Sequence, residues 1–510
     1  MSRTHRFLGG LSFGYLQQIL VIVAGLWLTP FFLQRLGQHD YGLWLILTQI
    51  TAYLGLLDLG VVGLLPRETA YVMGREGVES AELTRLVGHT VRVVFLQLPV
   101  VSVCAGVVWL LGRRMWASAQ FPLSVILLVF IAMFPFRIFP AVLQGLQDLA
   151  FLARAQIASW SAGTVAAVAL VFQGHGLLAL AMSWAVTQIA STIICFYRVK
   201  RKFPSVLPTR YLGHFDQTAA FNRLKKGAWI SASQIAQILT MGSDMLLIGK
   251  LLGAGATVPY SCTGKLAGVL ANKPQMMMQT AFPALSELRT SGTKASIRRA
   301  TMALGQAMLA VSGAVGCLVL SVNRQFVGWW IGPNQYGGTL LTLLIIAAML
   351  VRHWNLTFTY SLFCFGHERR LAITGLADGC VSIIASTILI PLIGVIAAPI
   401  GMLAGTCLVN IPSNLIALSR EMDVSPRILV TSSGNWLFRF VMAGAIGMGL
   451  ARVWNPQNLV SVTTLAVAAG TVYMTLLIPV IFREPLGSYI RPRLSILPPQ
   501  LQKMFPAVAD

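Results

Sequence analysis

The sequence predicts an all-α, polytopic membrane protein with about fourteen transmembrane helices. Three observations carry this. Hydrophobic residues make up 56% of the chain and charged residues 11%, with a mean hydropathy of +0.73. A soluble domain carries about a quarter charged residues, so this chain has too few to cover a water-facing surface. Its apolar residues also fall into repeated runs of roughly 20, enough to cross about 30 Å of hydrocarbon as helix. The runs are continuous and lack the alternation of barrel strands, which argues against a transmembrane β-barrel.

In chain order, the first six helices are expected at about 11–33, 41–64, 89–111, 122–145, 152–172 and 176–197. The next six fall at about 228–252, 257–285, 300–321, 338–364, 371–391 and 394–417. A last pair lies at about 435–453 and 458–482, before a tail. The organisation is therefore a lobe over 1–197, a basic linker over 198–227, a second lobe over 228–420, and a helix pair with tail over 421–510. Gln18 and Leu36-Gly37 recur at the same spacing as Gln234 and Leu252-Gly253. Repeated halves are a common construction for secondary transporters.

The net charge of +22 is mainly an orientation signal. Most of the 38 Lys and Arg lie in alternate connecting segments and the termini, the positive-inside pattern. It assigns the basic loops and both termini to the cytoplasm, as expected for a multi-pass membrane protein. No basic face with interleaved aromatics stands clear of the membrane, so nucleic acid is not an expected partner. The seven cysteines include no C-x-x-C pair and read as small buried residues. Met1 to Arg6 is short and basic, and the run that follows has no small-residue cleavage site, so a retained first helix is expected.

No P-loop or H-E-x-x-H occurs. The one G-x-S-x-G match, Gly10 to Gly14, opens a membrane helix with no strand before it and lacks the nucleophile-elbow setting. The expected outer loops are short, leaving no obvious home for polymerase or ligase chemistry. A non-enzyme without cofactor or metal is expected.

Charged side chains inside a bilayer are costly and tend to face a cavity. Arg352, mid-helix and followed by His353, is the first candidate for a substrate path. Arg137 is the next, set between Pro135 and Pro140, because broken membrane helices line cavities. Lys265 and Lys273 lie on one broad face of the eighth helix. Each has a structural alternative: a carboxylate partner for Arg352, an interior role for His353, snorkelling for Lys265. Arg92, Arg154, Lys250 and Arg439 sit near helix ends, where snorkelling suffices. Among the acids, Asp244 in Gly242-Ser243-Asp244 is the candidate for pairing with a cation or binding a proton or sodium ion. Asp58 and Asp378 lie nearer helix ends, where capping or solvation would explain them, and Asp58 remains a second coupling candidate. The deep charges are cationic in excess, which suits an anionic, phosphate-bearing cargo.

The stretch Thr29 to Leu64, with Leu36-Gly37, Tyr41-Gly42 and Leu57-Asp58-Leu59-Gly60, resembles the opening of Wzx-type oligosaccharide flippases. Gly242-Ser243-Asp244 through Gly249-Lys250-Leu251-Leu252-Gly253, Lys265, Phe282-Pro283-Ala284-Leu285-Ser286 and Trp330-Ile331-Gly332-Pro333 continue that pattern. These flippases belong to the multidrug/oligosaccharidyl-lipid/polysaccharide exporter superfamily. The resemblance implies two six-helix lobes around a central cavity that opens alternately to each side. It implies cargo on a polyprenyl-pyrophosphate carrier and possible partnership with polysaccharide polymerase machinery. Helices thirteen and fourteen depart from the twelve of many relatives and keep a lipid II flippase in view. A multidrug or cation antiporter of the same fold is the other alternative, and a membrane glycosyltransferase or polymerase the alternative from another class.

Overall fold

The computed structural model describes residues 3–77, 79–207, 232, 234–239, 242–291, 293–431 and 433–494. All regular structure among them is helical. Ten stretches of the described residues are long and apolar enough to cross a membrane, and several hold more than one pass. The stretch Glu368–Met422 has 55 residues, far beyond the roughly 20 that one crossing needs. The fourteen-helix expectation is consistent with this. The outer faces carry the large apolar side chains that water would penalise, such as Val165 (68% exposed), Leu392 (73%) and Val460 (78%). Exposed apolar faces on long helices are what lipid requires.

The chain divides into two compact units. The first comprises Met1–Ile238 with Gly253–Gly255. It opens with α1 (Arg3–Leu54), one run interrupted at Gly37, whose φ of 82° a glycine adopts without steric cost. A 3-10 turn at Gly55–Asp58 follows, then α2 (Val61–Glu76). Leu59 and Gly60 between them are left-handed, so the second expected helix is broken rather than ending at 64. Next comes α3 (Ala81–Met115), whose N-terminus is capped by the Ser80 hydroxyl accepting from the Leu83 amide. The fourth pass is broken too: α4 (Gln120–Met133), a 3-10 turn at Phe134–Arg137, then α5 (Ile138–Gly145). Pro135 and Pro140 withhold two amide donors from that ladder, which accounts for the break. The unit continues with α6 (Leu149–Phe172) and α7 (Leu177–Lys202). Here α6 packs on α7 and α1, α4 on α7, and α2 on α5. The basic linker is helical to Lys202 and turns at Pro204–Val206. Its remainder, with Arg210, Arg223, Lys225 and Lys226, lies outside the described residues, as does the tail beyond residue 494.

The second unit comprises Leu239–Leu252 and Ala256–Asp510. Its helices are α8 (residues 242–251), α9 (Thr257–Ser291), α10 (Lys294–Ile331), α11 (Thr339–Cys364) and α12 (Glu368–Ile393). The twelfth expected helix is α13 (Ala397–Gly405) joined through a π turn at Thr406–Asn410 to α14 (Ile411–Met422). A short α15 (Pro426–Thr431) leads to α16 (Gly434–Trp454), α17 (Leu459–Ile481) and the terminal α18 (Gly487–Leu494). The helix pair α16 and α17 docks on α10. The Tyr473 hydroxyl donates to the Ala310 carbonyl at 2.8 Å and accepts from Trp436 Nε1 at 3.0 Å. Elsewhere in the unit, α10 packs against α9 and α11, and α12 against α13.

Candidate functional site

In the first unit, the two broken helices meet at an ion pair. Asp58 ends the 3-10 turn after α1, and its Oδ1 accepts from the Gly60 amide at 2.9 Å. Its carboxylate is buried, 5% exposed as a residue. Arg137 ends the other 3-10 turn, with Nη2 at 3.6 Å from Asp58 Oδ2 and Nη1 donating to the Gly55 carbonyl at 3.1 Å. The Phe134 ring lies 5.6 Å from the same guanidinium, within cation–π reach. From α3, Gln97 Nε2 donates to the Asp58 carbonyl at 3.0 Å. Gln97 Oε1 is buried without a hydrogen-bond partner. Asp58 is therefore held from three sides in the interior and is not a solvated end residue.

In the second unit, charges gather where α8, α9, α11, α12 and the π turn come together. Asp244 is buried, and the Tyr260 hydroxyl donates to its Oδ2 at 2.5 Å. Asp378, 3% exposed, accepts from Ser382 Oγ at 3.1 Å, Thr406 Oγ1 at 3.3 Å and Asn410 Nδ2 at 2.5 Å. Arg352 is half-buried and lies in Coulombic reach of Asp378, Asp244 and Tyr260. One guanidinium thus lies within electrostatic range of two carboxylates. Three neutral donors on one buried carboxylate are the arrangement that makes a charge tolerable away from water.

The other sequence-derived candidates are placed apart. His353 turns from its neighbour Arg352 toward α10, with Nδ1 at 2.8 Å from Ser312 Oγ. Lys265 is half-buried and Lys273 exposed on α9. Among the end residues, Arg439 donates from Nη1 to the Leu476 carbonyl at 2.6 Å, and Arg154 and Lys250 are exposed. Arg92 behaves differently from a snorkelling residue: its Nε and Nη2 are buried and have no hydrogen-bond partner.

Sequence reasoning missed Tyr260 and the donors around Asp378. A signal was present. Thr406, Asn410 and Asn414 recur every four residues inside an apolar run, as do Asp378, Ser382 and Ser386. Such a stripe puts polar groups on one helix face. Asn414 carries the stripe on to α11, where its Nδ2 donates to Asn355 Oδ1 at 2.9 Å. A π turn at 406–410 re-aims that face toward α12, and such turns recur at functional sites.

Residues 84–327, just under half of the chain, match a family described as polysaccharide biosynthesis protein. No curated protein matches the sequence. The fold is shared with an inward-facing multidrug-resistance transporter of the MATE family and MOP superfamily, at a TM-score of 0.61 and 13% identity, over 84% of this chain and 99% of that one. It is shared with the lipid II flippase MurJ in an inward closed conformation, at a TM-score of 0.55 and 10% identity, over 86% of this chain and 100% of the other. A MOP-superfamily transporter from Pyrococcus furiosus, described as having a binding pocket of reversed polarity, aligns at 0.50 and 13% identity, over 82% and 95%. At these identities the likeness is one of fold. The family match over just under half of the chain and the shared fold accord with the resemblance carried by the sequence motifs.

Proposed function

We propose that this chain, a multi-pass membrane protein of the MOP-type fold with a polysaccharide-biosynthesis signature, is a flippase for a lipid-pyrophosphate-linked oligosaccharide. It takes the head group from the cytoplasmic to the outer leaflet of a bacterial inner membrane, for assembly of a surface polysaccharide. The termini face the cytoplasm, and two six-helix lobes, within residues 1–197 and 228–420, open alternately to the two sides. The observation that carries the reading is the family match over residues 84–327 on a fold shared with a lipid II flippase. The physical need is plain: a sugar-phosphate head group cannot cross hydrocarbon without polar partners.

Arg137 and Arg352 are the primary head-group contacts in this reading, with Lys265, Lys273 and His353 secondary. Each arginine has an acid in reach, Asp58 in one unit and Asp378 with Asp244 in the other. The cavity cations are therefore partly compensated, and an anionic cargo binds by competing with carboxylates. Two acids against one arginine in the second unit leave a negative charge that a coupled proton or sodium ion would neutralise at Asp244. The same excess of acid favours a second reading, export of cationic compounds.

Complementation separates the two. A strain lacking its polysaccharide flippase but carrying this gene is expected to regain surface polymer, and to lose it again with Arg352→Ala or Arg137→Ala at matched expression. Drug resistance without restored polymer would overturn the flippase reading in favour of the second.

A further inference from the structure

Asp58 and Arg137 stand where two interrupted helices meet inside the first unit, a construction that exposes backbone and side-chain groups to a ligand. The two members are held very unequally. Asp58 is fixed by the Gly60 amide on its carboxylate and by Gln97 on its carbonyl, on a turn locked by left-handed Leu59 and Gly60. Arg137 is anchored to the Gly55 carbonyl through Nη1, and its side chain stays 37% exposed. The contact between them, 3.6 Å, is an ion pair without a hydrogen bond. A guanidinium offers five N–H donors, so Arg137 keeps capacity for an incoming anion. Asp58 cannot follow it. The unpartnered Gln97 Oε1 is a second buried acceptor beside the pair.

We infer that the Asp58–Arg137 junction is an anion-for-carboxylate exchange site. A phosphate of the head group takes over Arg137, and Asp58, left without its counter-charge, takes up one proton. Binding of the diphosphate is thereby linked to uptake of one proton. This rests on the proposed flippase reading and supplies a coupling device within it. An ionised carboxylate deprived of its cation in a dry site is strongly disfavoured, so protonation follows from loss of the partner. Arg137 from the Phe134–Arg137 turn is the charged group that the described residues place in Coulombic reach of Asp58. Gln97 from α3 and the Gly60 amide are its neutral contacts. The balance is simple: one oxygen–hydrogen bond forms on Asp58, the proton comes from solvent, and no covalent bond in the cargo changes.

The test measures binding of a polyprenyl-pyrophosphate-linked sugar to the purified full-length protein in lipid nanodiscs from about pH 5.5 to 8.5. The diphosphate diester of that probe has no proton to lose near neutrality. Wild-type affinity is expected to weaken by up to about tenfold per pH unit as pH rises through the window. Asp58→Asn is expected to bind tightly with no such slope, and Arg137→Gln to bind weakly throughout. Equal slopes in wild type and Asp58→Asn overturn the exchange while leaving the flippase reading standing. Absence of binding by the wild type at every pH overturns both. If Asp58→Asn does not fold, calorimetry on the wild type in buffers of different ionisation enthalpy counts protons directly. Uptake of about one proton per bound lipid supports the exchange, and none overturns it. Inorganic pyrophosphate as competitor distinguishes the sources: displacement of the lipid by the free anion supports a site for phosphate as such. Displacement only by a lipid head group supports one for the lipid-linked form.

Discussion

Arg352 is the residue on which the second unit's charge balance turns, since it lies in reach of both Asp378 and Asp244. Truncating it removes a cation from the reach of two buried acids, and leaving buried charge less compensated is destabilising. Arg352→Ala should therefore lower folded protein as well as transport, which is why its export is compared at matched expression. Arg352→Lys keeps the charge and surrenders the planar fork, so the protein should still fold while transport falls by about tenfold or more. Quantifying surface polymer against detergent-extracted folded protein for both variants checks this. A lysine variant with full export would remove Arg352 from the head-group contacts. The sequence could identify Arg352 and Asp244 because charge in an apolar run is conspicuous. It could not group them: Asp244, Arg352 and Asp378 come into electrostatic range from three different helices, and Tyr260 looks like any aromatic residue in a membrane helix. Asp58 does end a helical turn and caps it through the Gly60 amide, as its position suggested, but the break at 55–60 places it in the interior and not in solvent.

The helices themselves were legible because hydrocarbon thickness imposes a run length that composition displays directly. The interruptions were only half legible. Pro135 and Pro140 announced the break at Phe134–Arg137, but nothing local announced that Leu59 would be left-handed. The close approach of α12 and α13 has a clearer cause. A Cβ at Gly405 would collide with Ser382 Oγ and Asp378 Oδ1, and one at Gly401 with Ser386 Oγ and the Ser382 carbonyl. Small residues four apart let membrane helices approach to backbone distance. Gly405→Val should consequently separate α12 from the π turn and displace the donors of Asp378. A loss of about 2–4 kcal/mol in unfolding experiments is expected, with Gly449→Val, where a Cβ meets open space, as the tolerated control. At the α16–α17 pair, Tyr473→Phe removes a donor to Ala310 and the acceptor for Trp436. It should lower the melting temperature by an amount corresponding to about 1–2 kcal/mol and leave transport nearly intact.

Across the whole molecule, the repeat that three sequence positions hinted at recurs in the geometry of the turns. Asp148 follows α5 with its amide bonded to the Leu143 carbonyl, and His367 follows α11 with its amide bonded to the Leu362 carbonyl. Each turn residue then reaches the end of a later helix of its unit, α7 in the first and α14 in the second. Asp148 Oδ2 takes Arg198 Nε at 2.9 Å and Lys202 Nζ at 3.3 Å, whereas His367 Nε2 meets Glu421 Oε1 at 2.7 Å. His367 follows Asp148, and Glu421 follows Lys202, by the same 219 positions. The two units thus close the same turn with a polar side-chain pair, an acid meeting two bases in one and an imidazole meeting an acid in the other. Repetition of the latch with different residue types argues that the tie itself, between turn and later helix, is what the architecture requires. Its contribution can be read through pH in the first unit. Burial pushes the Asp148 carboxyl up, but the Arg198 hydrogen bond and the Lys202 and Arg198 charges outweigh it, leaving the group below its usual 3.8. For a lowered carboxyl, the stabilisation is complete above the unfolded value and disappears as pH falls through the folded one. Asp148→Asn should therefore lower the melting temperature at pH 7 by an amount corresponding to about 1 kcal/mol, discounted for the half-exposed Lys202. The gap to wild type should hold above the ordinary carboxylate range and narrow as pH falls through and below it. Melting curves of both proteins in nanodiscs across that range would decide it. A gap independent of pH would mean that Asp148 stabilises the turn through its shape and not through its charge.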